Sequence, residues 1–184
     1  MKNRLFHIIL SIQLLFSAMA YSQKKIVLEN GTVSFTSNAP LEIIKASSNK
    51  MMAAIDPLSN QFVFSVNIQS FNGFNSGMQK EHFNEKYMES DLYPVATFKG
   101  KIIEKIDFTS DGTHEVRAKG DLTMHGQTQT RIIRSRIAIN KGSISIQSEF
   151  TVPLADHNIM VPKLISEKIA TEIDVNINAT AYME

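Results

Sequence analysis

The sequence predicts an all-β protein, an antiparallel barrel of about eight strands carrying one helix, and three patterns carry that prediction. Apolar and polar residues alternate with period two through most of the chain beyond Gln61, as half-buried strands require. Short turn signals such as Asp111-Gly112 and His125-Gly126 separate these runs, so consecutive strands fold back antiparallel. Near the middle the period changes once. Ser76 and Gln79 have capping-box spacing, in which the Ser76 hydroxyl accepts from the Gln79 amide and the Gln79 side chain reaches back to the Ser76 amide. A helix over about residues 77–89 follows, with Met78, Phe83 and Tyr87 on one side and Lys80, Glu81, Glu85 and Lys86 on the other, before Pro94 forbids its continuation.

Taken in order, the first residues stand apart from this pattern. Lys2 and Arg4 precede an apolar run from Leu5 to Phe16, and Ala18-Met19-Ala20 has the small-residue form of a signal-peptidase site. A cleaved signal peptide over residues 1–22 is expected, with the domain proper at 23–184. A membrane anchor would need roughly 20 apolar residues, and this run is shorter and interrupted by Ser11 and Gln13. Lys25 to Leu28 and Gly31 to Ser37 read as a first strand or a broken hairpin around Asn30-Gly31. Leu41 to Ala46 and Lys50 to Ile55 read as a hairpin turning at Ser47-Ser48-Asn49. Gln61 to Ile68 alternates clearly, with Phe62, Phe64, Val66 and Ile68 on one face. Phe71-Asn72-Gly73-Phe74 then turns the chain into the helix.

Beyond the helix, Val95 to Ile103 places Ala96, Phe98, Gly100 and Ile102 on one face. The next strand alternates Val116, Ala118, Gly120 and Leu122 with charged residues. Gln127 to Ile139 puts Ile133, Ser135, Ile137 and Ile139 inward. A three-residue loop at Asn140-Lys141-Gly142 leads to Ile144, Ile146, Ser148, Phe150 and Val152. After an irregular segment from Pro153 to Lys168, Ile173, Val175, Ile177, Ala179 and Ala181 close the sheet. Such strands bury their apolar halves in a sandwich or a closed barrel, and the barrel is favoured. Many inward positions are small, including Ala96, Gly100, Ala118, Gly120, Ser135, Ser148, Ala179 and Ala181. Either these leave a ligand cavity, or the phenylalanines opposite fill the space.

Composition narrows the function classes. The 184-residue chain is 43% hydrophobic and 20% charged with net charge +1, which suits one globular domain and offers no basic footprint for nucleic acid. There are no cysteines, so disulfides, thiolate chemistry and a cysteine-linked lipid anchor are excluded; a soluble periplasmic or secreted protein, without a membrane span after signal cleavage, is expected. His82, His114, His125 and His157 lack a zinc-type spacing, and neither a metal nor a cofactor is expected. His125 precedes a glycine at a turn, where an unusual backbone conformation is the ordinary explanation. Asp156-His157 suggests a base with its orienting carboxylate, but no G-x-S-x-G elbow supplies a nucleophile. Arg131, Arg134 and Arg136 either meet an anionic head group at a barrel rim or form a solvated outer edge.

Two segments carry a family resemblance. Tyr93-Pro94-Val95-Ala96-Thr97-Phe98-Lys99-Gly100, following a helix that contains His82-Phe83, and Asp121-Leu122-Thr123-Met124-His125-Gly126-Gln127-Thr128 together resemble the YceI-like family of exported lipid-binding proteins, over about Val33 to Ala181. The resemblance implies a lipocalin-like barrel with an apolar tunnel for a polyisoprenoid or related amphiphile, capped by the helix between the fourth and fifth strands. The chain departs from the family at Ala155-Asp156-His157-Asn158-Ile159 and in the insertion-like run to Lys168, and its early strands lack the glycine-rich pattern.

The expected function is a non-enzymatic binding protein that sequesters or carries a polyisoprenoid, an isoprenoid quinone or a related lipid. The alternatives are a lipid-modifying enzyme using His125 or His157, and a packed barrel acting as an interaction protein. The wall residues expected to touch the ligand are Phe35, Phe64, Val66, Phe98, Ala118, Ile146, Phe150 and Val175, joined by Met78, Phe83 and Met88 from the cap. Methionine suits such a wall because its flexible thioether adapts to many chain conformers. Oligomeric state stays open, a homodimer included.

Overall fold

The computed structural model describes residues 25–182; the expected signal peptide lies outside them. Eight strands run β1 (Ile26–Asn38), β2 (Ile43–Asp56), β3 (Gln61–Asn67), β4 (Val95–Ile102), β5 (Gly112–Met124), β6 (Gln127–Asn140), β7 (Ser143–Pro153) and β8 (Glu172–Tyr182). Each pairs antiparallel with its neighbour in sequence, and β8 pairs with β1, so the sheet closes into a barrel with no free edge.

The first two strands differ from expectation. Asn30-Gly31 is not a hairpin turn: β1 passes straight through it, and Asn30 takes a left-handed φ of 63° inside a bulge between Leu28 and Gly31. Ser47-Ser48-Asn49 does not turn either. Ser47 and Ser48 pair with Ser34 and Val33 of β1, and a second bulge sits between Ser48 and Met51, where the Lys50 amide donates to Ser48 Oγ at 3.1 Å. The two extra residues fall on opposite strands, so the register recovers. Turn-forming residues were here satisfied by bulges, which add twist to strands that must curve around a barrel. Because residues 43–56 form one strand, the helix lies between β3 and β4, not between a fourth and a fifth strand.

Elsewhere the alternation places side chains as expected. Val116, Ala118 and Leu122 of β5, and Ile133, Ile137 and Ile139 of β6, are buried. Gly100 and Gly120 face each other across β4 and β5, and a Cβ on Gly100 would collide with the Lys119 carbonyl and the Gly120 Cα. Only glycine lets these two strands approach so closely. The β6–β7 turn is tighter than the expected three-residue loop: Asn140 pairs with Ser143, leaving Lys141 and Gly142 at φ 49° and 79°.

The helix is shorter and more irregular than a run over 77–89. α1 (Gly77–His82) passes directly into a π-helical turn at Phe83–Tyr87, closed by the Met88 amide donating to the Phe83 carbonyl at 2.9 Å. Ser76 caps it as expected, its Oγ accepting from the Gln79 amide at 3.2 Å. The Gln79 side chain, however, accepts from the Asn75 amide at 2.9 Å rather than from Ser76. Glu89 ends the helix at a left-handed φ of 43°.

Candidate ligand cavity

The barrel is packed at one end and hollow at the other. At the packed end Ile26, Leu28, Ile55, Phe62, Ile102, Phe108, Ile137 and Ile144 form a continuous core. At the other end, beneath α1 and the segment between β7 and β8, lies a cavity of about 470 Å³. Filled interiors hold few voids larger than a water molecule, so a space of this size makes this end of the barrel hollow. It falls in the range of small-molecule sites, roughly 300–1,000 Å³.

The wall comes from the inward positions of seven strands. On β1, Val33, Phe35 and Ser37 border the space; on β3, Phe64 and Val66; on β4, Ala96 and Phe98; on β5, Leu122 and Met124. β7 adds Phe150 and Val152, and β8 adds Ile173, Val175 and Ile177, while β2 contributes Ile44 and Met51. From the cap, Met78, Phe83, Tyr87 and Met88 also border it. Of the residues expected to touch a ligand, Phe35, Phe64, Val66, Met78, Phe83, Met88, Phe98, Phe150 and Val175 therefore stand on the cavity. Ala118 and Ile146 do not. They share a face with Leu122 and Phe150 but lie four residues farther down their strands, about 13 Å at strand rise, where the core is packed.

The π turn explains how the cap presents its apolar residues. In a regular helix Phe83 and Met88, five apart, would point in different directions; the wider turn brings both to the barrel side. Met88 is buried with Ile68 and Ile159, and Phe83 packs in a cluster of rings. Its centroid lies 5.4 Å from Phe35 in a stacked arrangement, 5.8 Å from Phe71 and 5.1 Å from Phe74. Phe83 thus anchors the cap to the β1 wall. Burial pushes the Tyr87 phenol above its ordinary range.

Polar groups gather at the mouth. Glu42, Ser76, Gln79, His82 and Lys168 border it, and Gln79 Nε2 donates to Glu42 Oε1 at 3.0 Å, tying the start of α1 to the β1–β2 connection. Leu154, Ile159, Ile165 and Ile169 of the β7–β8 segment add apolar side chains to the rim. The Leu41 amide donates to the Glu167 carbonyl at 2.8 Å and the Ala170 amide to Ser37 Oγ at 2.9 Å, which holds that segment against β1. Sequence reasoning missed these isoleucines because an irregular segment has no periodicity to reveal which residues face inward.

The two motif segments meet beside the cavity. Tyr93 lies edge-on to the His125 ring at 5.0 Å, and a Cβ on Gly126 would sit 2.6 Å from the Tyr93 ring. His125, at φ 50°, has Nδ1 2.8 Å from the His157 carbonyl and Nε2 2.8 Å from Glu89 Oε2. Glu89 therefore tethers the helix end to the β5–β6 turn. His157 is 0% exposed, with Nδ1 3.3 Å from the Gln127 carbonyl. Burial is the main cause holding its imidazole below the ordinary histidine range, opposed by the Gln127 and Met124 carbonyls and by Asp156.

Neither histidine borders the cavity. Nor do the three arginines: Arg131 donates to the Thr151 carbonyl at 2.7 Å and to Asp156 at 3.2 Å, and Arg136 pairs with Glu115 at 2.7 Å. Among the described residues no three His, Asp or Glu side chains come together as a metal site, and no helix is long and apolar enough to cross a membrane. A second depression, on the outer wall, is lined by polar residues such as Lys99, Lys101, Lys119 and Asp121.

Comparison with known proteins agrees with this architecture. The family model for the YceI-like domain matches residues 24–181. The chain belongs to the YceI-like family. Among solved structures of similar fold is a polyisoprenoid-binding domain from Saccharophagus degradans implicated in plant cell wall breakdown, at TM-score 0.73 and 13% identity, covering 89% of this chain and 100% of that one. Burkholderia cenocepacia BcnA aligns at TM-score 0.69 and 17% identity, over 82% of this YceI-like chain and 96% of its own. The Campylobacter jejuni YceI protein aligns at TM-score 0.59 and 20% identity, over 76% and 84%. No curated protein matches the chain in sequence.

Proposed function

We propose that this YceI-like protein is an exported binding protein that holds a long apolar ligand, a polyisoprenoid, an isoprenoid quinone or a related lipid, inside its barrel. The observation that carries the reading is the cavity of about 470 Å³, lined by phenylalanine, isoleucine, valine and methionine and bordered by charged groups only at its mouth. Each buried CH2 contributes about 0.8 kcal/mol, so a prenyl chain binds there without any charged contact, and its polar end remains at Glu42, His82 and Lys168. The polyisoprenoid-binding description of the Saccharophagus degradans domain supports the same ligand class for this fold. Export rests on the signal-peptide pattern of residues 1–22.

The enzyme alternative finds no geometric support. His125 spends both ring nitrogens on the His157 carbonyl and the Glu89 carboxylate, His157 turns Nδ1 to the Gln127 carbonyl, and neither histidine borders the space a lipid would occupy. Native mass spectrometry of the purified protein, followed by solvent extraction, tests the reading. A bound isoprenoid lipid, or uptake of an added prenyl quinone at one per chain, is the expected result. A lipid-free protein that takes up no prenyl quinone overturns it.

A further inference from the structure

Side chains from six strands ring the cavity, Val33, Met51, Phe64, Phe98, Phe150 and Ile177, and the Gly31–Met51 pair lies deeper in the barrel than the row of Phe35, Val175 and Phe150. Met51 differs from the others in this ring. It is an unbranched, flexible side chain among β-branched and aromatic ones, and it is 2% exposed although it borders the cavity. Its cross-strand partner is Gly31, and its Cε occupies the space a Gly31 Cβ would need, 2.6 Å from that position, with the Ala179 Cβ beside it. The thioether therefore lies folded into a notch that exists only because position 31 lacks a side chain and position 179 has a small one. The compensating bulges of β1 and β2 fall on either side of this pair, so Met51 is set where the wall departs from regular register.

We propose that Met51 is the movable floor of the cavity and the residue that sets how long an apolar chain the barrel accepts. The inference rests on the binding function proposed above. A chain entering from the mouth runs past Phe83 and Phe35 and meets Met51, whose three side-chain torsions let it fold aside or stand across the path at little cost. The stiff neighbours Val33 and Ile177 cannot do this. Below it the barrel is packed, so the space a ligand tail gains at this level is the space the thioether gives up.

The test presents an equimolar series of isoprenoid alcohols of increasing prenyl number to the full mature protein and reads the bound chains by native mass spectrometry. Met51→Ala moves the bound distribution toward longer chains by at least one member of the series. Met51→Phe moves it toward shorter ones, and Met51→Leu, similar in volume, keeps its upper limit close to that of the unsubstituted protein. Thermal unfolding of each variant confirms a folded barrel, and the opposed shifts of the alanine and phenylalanine variants cannot come from lost stability, which moves both the same way. An unchanged distribution in folded Met51→Ala and Met51→Phe overturns the floor assignment alone. Uptake of no member of the series by the unsubstituted protein overturns the binding function, and this inference with it.

Discussion

Phe83 and His157 show how single side chains divide the work between holding a ligand and holding the fold. Phe83 is the cap residue whose ring touches Phe35, Phe71 and Phe74 on the cavity side. Phe83→Asp places a carboxylate against an apolar wall, and binding of a prenyl quinone is expected to weaken by about 1.4 kcal/mol or more, tenfold in Kd, in a titration on folded protein. Unchanged affinity would make the cap a side packing without a role in retention. His157 acts on stability instead. Its folded-state pKa is lowered from 6.5 by burial, so the unfolded chain binds the proton more readily. Its contribution is complete above the ordinary histidine pKa and is lost as pH falls below that value toward the folded one. Melting temperature should therefore decline between about pH 7 and pH 5, and His157→Gln should remove part of that decline. An identical pH profile in the variant would contradict the assignment.

At the scale of elements, the helix end and the β5–β6 turn behave as one unit, because Tyr93, Glu89, His125, Gly126 and His157 close on one another. Gly126 takes φ 69° under the Tyr93 ring, so Gly126→Ala is both strained and sterically blocked. A loss of about 2 kcal/mol in urea unfolding is expected, and Gly126→Ala paired with Tyr93→Ala should recover the steric part but not the backbone part. These elements also mark what the sequence made legible. Period-two alternation located β3 through β8, and the Ser76 cap located the start of α1, because both signals are local. The π turn, the continuity of β2 and the inward residues of the β7–β8 segment depend on partners distant in sequence. Ser47-Ser48-Asn49 has turn chemistry by itself and becomes a bulged strand only because β1 and Asn72 lie alongside it.

For the whole molecule, the central point is that one barrel is packed at one end and hollow at the other. Small inward residues do not by themselves mean a void. Ala118, Ala179 and Ala181 are filled around by Ile137, Ile144 and Phe62 in the packed half, whereas the hollow half is lined by large side chains standing apart across the mouth. That is why Ala118 and Ile146 fell outside the cavity although their strands and faces were read correctly. The most direct measurement is photo-cross-linking with a diazirine-bearing prenyl probe, followed by peptide mapping. The account predicts adducts on the cap around Phe83 and Met88, on β1 near Phe35 and on β7 near Phe150, all suppressed by excess prenyl quinone. Adducts confined to the outer groove at Lys99, Lys101 and Lys119, or labelling that excess ligand leaves unchanged, would contradict it.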